Sequence, residues 1–444
     1  MDVTKKSPLN KLYADFHHAV IPHITADSRI CVGLSGGVDS VVLLHLFAQL
    51  RLSHTFHLSA IHVHHGISQY ADEWSLFCQQ LCAQLAIPCT TTRVTLDNKL
   101  GVEAEARKQR YQQYQQQPAD FIALAHHQDD QAETLMLQLL RGAGVKGLSG
   151  MAKYRQLPNQ PAYLRPLLDM PRSAILAWAH AQQLQWIEDD SNSDTHYARN
   201  FLRLDLLPQL NQRYPAWRTA LARSAANLAE ASELLDELAR MDAQQSIHEQ
   251  RLDCHYLQRI NPSRARNLLR YFFALHNLQM PSQVRLADML AQLTRAPHDN
   301  HPAIPHGDYT LHRYLNQAYL IKRLPVSDPK QSWSWSDGDT LHIPFYGTFS
   351  THISDATGIA LAKFTHINIR LRQGGEMLRP DCKRPNRRLK DLLQQQQIPP
   401  WQRDRLPLVY SGDTLIHVPH IGTACAWQAH AGEPSIALDW QAEV

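Results

Sequence analysis

In the first third of the chain, short runs of apolar, often β-branched residues alternate with longer segments whose apolar residues recur at helical spacing. The short runs are typical of buried parallel strands, and the longer segments are typical of helices packed on a sheet. The predicted strands are 29–34, 58–63, 90–94 and 121–125. The predicted helices are 8–21, 41–50, 72–85, 103–115 and 131–140. This alternation predicts an α/β fold with a doubly wound, Rossmann-like parallel sheet.

Beyond Tyr214-Pro215 the pattern becomes mainly helical. Predicted helices lie at 215–240, 268–274 and 284–293, and a hairpin lies at 309–322. The apolar stripe of the first of these helices, which we interpret as core, comprises Leu221, Leu228, Leu235 and Leu238. A strand-rich region begins at Ser332, after a proline-containing linker at 325–329. We therefore predict an α/β domain at 1–214, a mainly helical middle domain at 215–325 and a small α+β domain at 326–444.

The first predicted strand leads into the turn Ser35-Gly36-Gly37-Val38-Asp39-Ser40, which opens a helix. Gly36 and Gly37 lack a Cβ atom, so backbone amides can approach a ligand closely. Unpaired amides at a helix start favour phosphate, and the two serine hydroxyl groups can add hydrogen bonds. A carboxylate beside phosphates, Asp39, is understandable if Mg²⁺ lies between them. The alternative is an ordinary strand-to-helix turn.

Polar residues also follow the second and fourth predicted strands, and the carboxyl ends of parallel strands meet at one edge of a sheet. The second strand ends in His62-Val63-His64-His65. We interpret these histidines as lining a site, because no cysteine or carboxylate stands at the spacing of a zinc ligand. The fourth strand is followed by a run that contains His126, His127, Asp129, Asp130 and Glu133.

Asp130 and Glu133 lie at i and i+3 of a predicted helix and share one face. Two carboxylates near a helix start stay ionised and can hold an ammonium group. The alternative is that Asp129 caps the helix and the other acids are solvated. His126, His127 and the carboxylates are all candidates for a general base.

Two further pairs of arginines stand at helical spacing. Arg199 and Arg203 either serve the site or form salt bridges with the acidic run at 188–190 before them. Arg107 and Arg110 either reach RNA phosphate or pair with the glutamates of their own helix, Glu103 and Glu105. The glycine-rich loop 141–151 follows the acidic helix, and substrate gating is one option for it.

The amino-acid composition limits the number of domains and the classes of partner. The 444 residues suffice for two or three domains, and the formal charge of +3 indicates no particular partner. Residues 370–405, however, contain ten cations and four acids, which suits phosphate contact unless this is merely a solvated face. Seven cysteines without a C-x-x-C spacing predict reduced thiols and a cytoplasmic location. We find no signal peptide and no apolar run of membrane-spanning length, so no membrane partner is expected.

The string SGGVDS at 35–40 resembles the pyrophosphate loop of the N-type ATP pyrophosphatases, the PP-loop family. Members of that family split ATP into AMP and pyrophosphate to activate a carbonyl oxygen by adenylation. Further strings follow in order up to residue 210: HHQDDQAET, RGAGVKGLSGM, RPLL and RNFLR. With them, the chain resembles the bacterial tRNA(Ile)-lysidine synthetases.

This resemblance implies a ligase that joins L-lysine to C2 of the wobble cytidine of a minor isoleucine tRNA with a CAU anticodon, through an adenylated intermediate. Codon specificity would change from AUG to AUA, and identity from methionine to isoleucine. ATP and Mg²⁺ are the implied cofactors, with Mg²⁺ near Asp39. The implied ATP-binding residues are Ser35, Gly36, Gly37, Val38, Asp39, Ser40, His62 and His64. The implied catalytic residues are Asp39, His126, His127, Arg199, Arg203 and the lysine-holding pair Asp130 and Glu133. The implied tRNA-binding residues are Arg107, Arg110, Arg379, Arg384, Arg387 and Arg388.

Two rival functions stay open. One is another PP-loop enzyme, such as a tRNA thiolase or an amidotransferase-coupled synthetase, although a C-x-x-C pair and an N-terminal nucleophilic cysteine are both missing from the sequence. The other is a catalytically silent tRNA-binding protein, which the intact SGGVDS string and the acidic helix disfavour. The sequence leaves the oligomeric state open, with a homodimer as one option.

Overall fold

The computed structural model describes residues 8–66, 68–95, 102–188, 196, 198–297, 300–324, 328, 331–335, 340–354 and 358–443. The chain divides into two compact units, Met1–Leu238 and Ala239–Val444. The predicted acidic run from 189 onward and most of the predicted linker at 325–329 lie outside the described residues. In the described part of the chain, no helix is both long and apolar enough to cross a membrane.

The first unit is built on one sheet. Its described strands are β1 (Arg29–Gly33), β2 (His57–His64), β3 (Cys89–Arg93), β4 (Phe121–Ala123), β5 (Tyr154–Arg155) and β6 (Ala162–Leu164). Their order is β3-β2-β1-β4-β6-β5, and every neighbouring pair is parallel except β5 with β6. The predicted parallel sheet is thus confirmed. We did not predict β5 and β6, because strands of two and three residues are too short to show a period.

Helices flank this sheet and connect its strands. They are α1 (Pro8–Val20), α2 (Val38–Leu50), α3 (Ala71–Gln84), α4 (Val102–Gln115), α5 (Gln128–Leu140), α6 (Val145–Leu148), α7 (Arg172–Ala181), α8 (Ala198–Phe201), α9 (Leu207–Arg213) and α10 (Trp217–Ser246). A π-helical turn, Leu202–Leu206, joins α8 to α9. Alternate residues of β1 enter two different cores: Ile30 and Val32 pack with α1, α2, α3 and α7, whereas Cys31 packs with Tyr114 of α4. Helices therefore cover both faces of the sheet, as the alternating pattern predicts.

The predicted apolar faces hold with one correction. Leu12, Phe16 and Val20 of α1 are all buried, and Phe16 packs edge-on against Phe47 of α2. The leucine stripe that we assigned to the core of α10 is wrong in part, because Leu235 is 37% exposed. Among the apolar side chains of this helix, Ala225 and Ala239 are the most deeply buried, with exposures of 0% and 1%. Close helix packing selects small residues, which a search for large apolar side chains overlooks.

The second unit begins with helices and an antiparallel sheet. The elements are β7 (Ile247–His248), β8 (Arg251–Asp253), α11 (Cys254–Arg259), α12 (Pro262–Leu275), α13 (Gln283–Arg295), β9 (Ala303–His306), β10 (Tyr309–Tyr314) and β11 (Gln317–Lys322). Leu268, Leu269, Phe272 and Phe273 of α12 fill the core beneath the sheet. The helical character and the hairpin at 309–322 are as predicted, whereas the short strands β7, β8 and β9 were not.

The rest of the second unit is rich in strands, as predicted. They are β12 (Ser332–Trp335), β13 (Leu341–Ile343), β14 (Gly347–Ser354), β15 (Ile359–Ala360), β16 (Ile367–Leu371), β17 (Met377–Leu378), β18 (Arg387–Arg388), β19 (Pro407–Ser411), β20 (Thr414–Val418), β21 (Gly422–Thr423) and β22 (Ser435–Gln441). Two short helices, α14 (Leu389–Gln395) and α15 (Pro400–Arg403), lie between β18 and β19. The described strands form antiparallel sheets in the orders β12-β16-β19-β20-β21, β13-β14-β22-β15 and β17-β18.

One cysteine pair departs from the expectation of reduced thiols. Cys382 and Cys425 form a disulfide, with their Cα atoms 5.2 Å apart. They are 43 residues apart in sequence, so no local spacing indicated the pair. Cys78 and Cys82 are free thiols on α3, and both are buried in the core of the first unit.

Candidate functional site

The site lies where the strand order of the first sheet reverses. From β1 the chain passes to β2 on one side, and it later crosses to β4 on the other side of β1. Doubly wound sheets bind ligands at the carboxyl ends of strands beside such a reversal. The turn Ser35–Ser40 follows β1, and His127 follows β4, and the two segments meet with His127 Nε2 at 3.6 Å from Asp39 Oδ2. The predicted shared edge is therefore present.

The turn Ser35–Ser40 is held together by its own serines. The Ser40 hydroxyl donates to the Gly37 carbonyl at 2.9 Å and accepts from the Ser35 backbone N–H at 3.2 Å. The Ser40 side chain is therefore committed to the shape of the turn. The Val38 side chain is buried in the core, so Val38 offers a ligand only its backbone N–H. Val38, Asp39 and Ser40 form the first turn of α2, whose amides have no partner within the helix.

Gly36 is required by both conformation and space. Its φ is +90°, and a Cβ atom there would lie 2.5 Å from Ile187 Cδ1 and 3.3 Å from Cys78 Sγ. The Ile187 backbone N–H also donates to the Gly36 carbonyl at 3.0 Å. A larger residue would therefore strain the backbone and displace its neighbours. At Gly37, by contrast, a Cβ atom would meet only Ser35 Oγ, at 3.6 Å.

The Asp39 carboxylate fits a magnesium ligand. Its Oδ1 atom is buried and has no hydrogen-bond partner in the part of the chain that the structure describes. Its Oδ2 atom lies 3.6 Å from His127 Nε2 and 4.0 Å from Arg172 Nε. Among the described residues, no cluster of three or more histidine, cysteine or acidic side chains could hold a metal by itself. Mg²⁺ bound to nucleotides commonly takes one or two carboxylates and completes its shell with phosphate and water, so one carboxylate oxygen suffices.

The histidines after β2 are largely satisfied by the protein. His62 Nδ1 donates to the Leu34 carbonyl at 2.9 Å, which fixes the backbone just before the turn Ser35–Ser40. His64 Nε2 lies 3.2 Å from Asp72 Oδ1. The Arg110 guanidinium donates to His65 Nε2 at 3.3 Å. Burial and then the Arg110 charge lower the pKa of His65 to about 4, so this ring is neutral at physiological pH. ATP contact by His62 and His64 stays a prediction.

His127, rather than Asp129, caps α5. Its Nδ1 accepts from the Asp130 backbone N–H at 3.3 Å, and Asp130 Oδ2 accepts from the His127 backbone N–H at 3.0 Å. Burial alone would lower the pKa of His127, but the carboxylates of Asp39 and Asp130 outweigh it and raise the pKa above 6.5. His126 differs: burial, followed by the charges of Arg165 and Arg199, holds its pKa well below 6.5. Its Nδ1 is buried and has no partner.

We therefore expect opposite pH dependences from these adjacent histidines. Because the folded-state pKa of His127 is raised, its stabilising contribution is complete below pH 6.5 and is lost as the pH rises through the raised value. Because the pKa of His126 is lowered, its contribution is complete above pH 6.5 and is lost as the pH falls. His127→Gln should thus lower the free energy of unfolding more in acid than in base. His126→Gln is the matched control with the opposite trend.

The measurement is urea denaturation of both variants at pH values below and above 6.5, together with an NMR titration of the histidine rings. Asp39→Asn should lower the pKa of His127, since it removes one of the two nearest carboxylate charges. A His127 pKa at or below 6.5 in the unmodified protein would contradict the expectation.

Asp130 and Glu133 share a face of α5, as predicted, and both are paired with arginines. Arg199 donates to Glu133 Oε2 at 2.6 Å and to Asp130 Oδ1 at 2.7 Å. Arg203 donates to Glu133 Oε1 at 2.8 Å and to Oε2 at 3.0 Å. Glu133 is 1% exposed, and each of the four carboxylate oxygens accepts at least one hydrogen bond. The arginines therefore form salt bridges with this pair. Of the acidic run at 188–190, which we had considered as their partner, Asp189 and Asp190 lie outside the described residues.

A π-helical turn contributes to this arrangement. Arg199 lies in α8, and Arg203 lies in the π-helical turn Leu202–Leu206. A π turn changes the angle between residues four apart, so it alters how the two guanidinium groups converge on Glu133. The spacing of Arg199 and Arg203 in the sequence suggests a shared face but does not indicate the π turn.

Sequence reasoning missed Arg172 and Arg218. The Arg172 backbone N–H donates to Asp129 Oδ2 at 3.0 Å, and the Arg218 guanidinium donates to Asp129 Oδ1. Burial would raise the pKa of Asp129, but these hydrogen bonds and the Arg218 charge hold it below its usual value. Arg172 opens the helix after the RPLL string, which was an available signal. Arg218 stands outside every motif, 89 residues from Asp129.

The glycine-rich loop 141–151 is anchored at several points. The Gln131 side chain exchanges two hydrogen bonds with the Met151 backbone, at 2.7 and 2.9 Å. Ser149 Oγ donates to the Leu228 carbonyl of α10 at 3.2 Å, and Lys146 pairs with Asp236 at 3.3 Å. The loop contains the short helix α6. A gating role stays a prediction.

Comparison with known proteins decides the family. Family models match residues 1–210 (PP-loop domain), 252–319 (TilS substrate binding domain) and 367–440 (TilS substrate C-terminal domain). The chain is 43% identical over 434 residues to a tRNA(Ile)-lysidine synthase of Nitrosomonas europaea, covering 96% of this chain and 94% of the relative. It is 39% identical to one of Coxiella burnetii, covering 90% of each chain, and 37% identical to one of Azoarcus sp., covering 93% and 92%.

The chain belongs to the tRNA(Ile)-lysidine synthase family. The resemblance drawn from the SGGVDS and HHQDDQAET strings is therefore confirmed, as is the fold class of a PP-loop domain with a parallel sheet followed by helical and strand-rich regions. The domain boundaries at 214 and 325 stay predictions.

The region that matches the C-terminal model of the lysidine synthase family contains the whole basic segment 370–405. Some cations of this segment are paired within the protein and others are not. Arg379 donates to the carbonyls of Arg384 and Cys382, so it stabilises a turn of the backbone. Arg384 pairs with Asp381 at 3.3 Å, and Arg387 donates to Gln395 at 2.8 Å. The side chain of Arg388 is exposed and makes no hydrogen bond or ion pair with any described residue, and the same holds for the side chains of Lys383 and Lys390, which we had not singled out.

Within the PP-loop domain of this lysidine synthase family member, Arg107 and Arg110 are both exposed. Arg107 lies over the Tyr111 ring, with its guanidinium carbon 4.9 Å from the ring centre. Arg110 donates to His65. Glu105 is buried and pairs with Lys108 instead, and the side chain of Glu103 lies outside the described residues. Contact of the two arginines with RNA stays a prediction.

Proposed function

We propose that this protein uses ATP to join L-lysine to C2 of the wobble cytidine of the isoleucine tRNA with a CAU anticodon. The C2 oxygen attacks the α-phosphate of ATP and pyrophosphate leaves. The ε-amine of lysine then attacks C2, and AMP leaves with the oxygen, while the amine loses its protons. Membership of the lysidine synthase family supports this function. The observation that carries it is that the turn Ser35–Ser40 and the carboxylates of α5 lie side by side, because His127 contacts both Asp39 and Asp130.

The turn Ser35–Ser40 would hold the phosphates with the backbone amides of α2 and with the Ser35 hydroxyl. Asp39 Oδ1 is free to take Mg²⁺, which supplies positive charge against the phosphates when bound. The protein's contribution is mainly to position the reactants and stabilise developing charge. His126 Nδ1 has no partner among the described residues, whereas both ring nitrogens of His127 contact other groups, so His126 has the more available nitrogen. Its lowered pKa makes it a weak proton acceptor.

Asp130 and Glu133 are the proposed receptor for the ammonium groups of lysine, with Arg199 and Arg203 available to its carboxylate. A carboxylate has about four lone-pair sites, so the oxygens that accept from arginine can accept again. The two carboxylates and two guanidinium groups balance in charge. A zwitterionic amino acid therefore adds no net charge to the cluster. This arrangement suits an amino acid better than a simple amine.

One assay tests the function. Purified protein is incubated with ATP, Mg²⁺ and a transcript of the isoleucine tRNA with a CAU anticodon, with lysine or another amino acid. We expect pyrophosphate release that depends on the tRNA, and incorporation of lysine alone. A tRNA with another wobble base is the control. Incorporation of sulfur in place of lysine would establish the thiolase alternative, and tRNA binding without pyrophosphate release would establish the silent binder.

We expect the unpaired cations of the C-terminal region to contact tRNA phosphate. Lys383→Gln with Arg388→Gln should weaken tRNA binding and reduce its salt dependence, because each lost phosphate contact lowers the magnitude of the log–log salt slope by about 0.7 to 0.9. The matched control is Arg370→Gln, since Arg370 already pairs with Asp413 at 3.1 Å. Affinity is measured over a series of salt concentrations. An unchanged slope in the double variant would show that these cations are merely solvated.

The proposed substrate indicates where in the cell the reaction takes place, but it does not indicate the oligomeric state of the protein. Since the substrate is tRNA, we place the reaction in the cytoplasm. The oligomeric state stays open.

A further inference from the structure

The turn that would hold the phosphates of ATP contains no cation. Nucleotide-binding loops of the Walker type include a lysine that reaches the β- and γ-phosphates, and this turn has Asp39 instead. ATP brings several negative charges next to that carboxylate. A metal ion offsets part of these negative charges. A cationic side chain from another helix or strand is the other available source of positive charge.

Most arginines around the turn Ser35–Ser40 and the start of α5 already have partners among the described residues. Arg199 and Arg203 are neutralised by Asp130 and Glu133. Arg110 donates to His65, and Arg165 donates to the Ala152 carbonyl at 2.8 Å. These guanidinium groups are committed to the protein or charge-balanced within it.

Arg172 differs from them. Its side chain is 41% exposed, and its Nε lies 4.0 Å from Asp39 Oδ2, at the edge of the turn Ser35–Ser40. Its side chain makes no hydrogen bond to any described residue, so none of those residues occupies its two terminal NH₂ groups. A guanidinium group presents a planar fork that matches the oxygens of phosphate.

The backbone of Arg172 is held by a hydrogen bond, although its side chain donates none to the described residues. Asp129, whose side chain is 14% exposed, accepts from the Arg172 N–H with one oxygen and from the Arg218 guanidinium with the other. Arg218 is itself held, because it donates to Asn211 Oδ1 at 2.9 Å and lies 4.4 Å from the centre of the Trp217 ring. Asp129 thus ties the first residue of α7 to the starts of α5 and α10.

We propose that the Arg172 side chain binds the pyrophosphate portion of ATP, and that Asp129 is the residue that positions it. This inference rests on the proposed function, since it assigns a group to the same ATP site. It adds a cation to the turn Ser35–Ser40 from an element some 130 residues further along the chain. In the adenylation step, the positive guanidinium would stabilise the negative charge that collects on the departing pyrophosphate.

The test uses calorimetric titration of the full-length protein with Mg²⁺ and inorganic pyrophosphate, ATP or AMP. Arg172→Ala should weaken pyrophosphate and ATP binding by roughly 10- to 100-fold, the usual range for a lost charged hydrogen bond. Binding of AMP, which lacks the β- and γ-phosphates, should change less than about twofold. Arg172→Lys keeps the positive charge without the planar guanidinium fork. Its affinity for pyrophosphate should lie between those of the unmodified protein and Arg172→Ala. Arg155→Ala, on the exposed strand β5, is the control.

Asp129→Asn tests the positioning role. It should weaken pyrophosphate binding less than Arg172→Ala does, and the double variant should match Arg172→Ala, because Asp129 acts through Arg172. Unchanged pyrophosphate affinity in a folded Arg172→Ala protein would overturn the proposal, and so would equal losses for pyrophosphate and AMP. These titrations need neither tRNA nor lysine. Failure of the unmodified protein to bind ATP would instead count against the proposed function itself.

Discussion

Asp39→Asn should abolish most ATP-dependent chemistry while the fold survives. Asp39 Oδ1 is buried at the start of α2 and has no hydrogen-bond partner among the described residues, which suits its proposed role as a ligand for a nucleotide-bound cation. An amide oxygen carries no formal charge, so the loss should be several kcal/mol, or on the order of 10³-fold in rate. The measurement is tRNA-dependent pyrophosphate release as a function of Mg²⁺ concentration.

The control for Asp39→Asn is Asp15→Asn, on the exposed side of α1, which removes the same charge from the same unit. Circular dichroism and thermal unfolding verify the fold of both proteins. Near-normal turnover in folded Asp39→Asn protein, at unchanged Mg²⁺ dependence, would show that the buried oxygen has no role in ATP use.

Asp130→Asn with Glu133→Gln should separate the two chemical steps. If these carboxylates receive the ammonium groups of lysine, two charged hydrogen bonds are lost, and the lysine requirement should rise by about 10²-fold or more. Transfer of AMP to the tRNA base precedes amine attack and should persist. The measurement compares AMP transfer to tRNA with incorporation of labelled lysine.

The structure suggests a second reason why this double variant could lose lysine incorporation, namely a loss of stability, and a control has to separate the two. Glu133 is 1% exposed and holds Arg199 and Arg203, so removing its charge leaves buried guanidinium groups without partners. Breaking such a pair costs about 3–5 kcal/mol when it is fully buried, and less here because both arginines are about 30% exposed. The variant Glu133→Gln with Arg203→Gln restores the charge balance. It should recover stability but not lysine incorporation, and recovery of incorporation would contradict a direct role of Glu133 in lysine binding.

The fold and the location of the site were largely predictable from local patterns. Buried parallel strands such as β1 and β2 show as continuous apolar runs, and α1 shows its face in Leu12, Phe16 and Val20. The motifs after β1 and β4 could be assigned to one edge because parallel strands all end there. The short strands β5 and β6 were missed, since their pairing with β4 depends on the sheet already formed.

By itself, the sequence determined which residues are able to bind ligands or transfer protons. They are the turn with Asp39, the histidines before α5, and the carboxylates Asp130 and Glu133. Those assignments depend on residue type and short spacing, which are local properties. Partnership is not local, and only the tertiary structure decided it. Arg199 meets Glu133 across 66 residues, Arg218 meets Asp129 across 89, and Cys382 meets Cys425 across 43. Whether a carboxylate lacks a partner among the described residues, as Asp39 Oδ1 does, or is already paired with arginines, as Glu133 is, depends on which distant donors the fold delivers to it. That delivery is set by the packing of helices α7 to α10 around the sheet, which no short-range pattern contains.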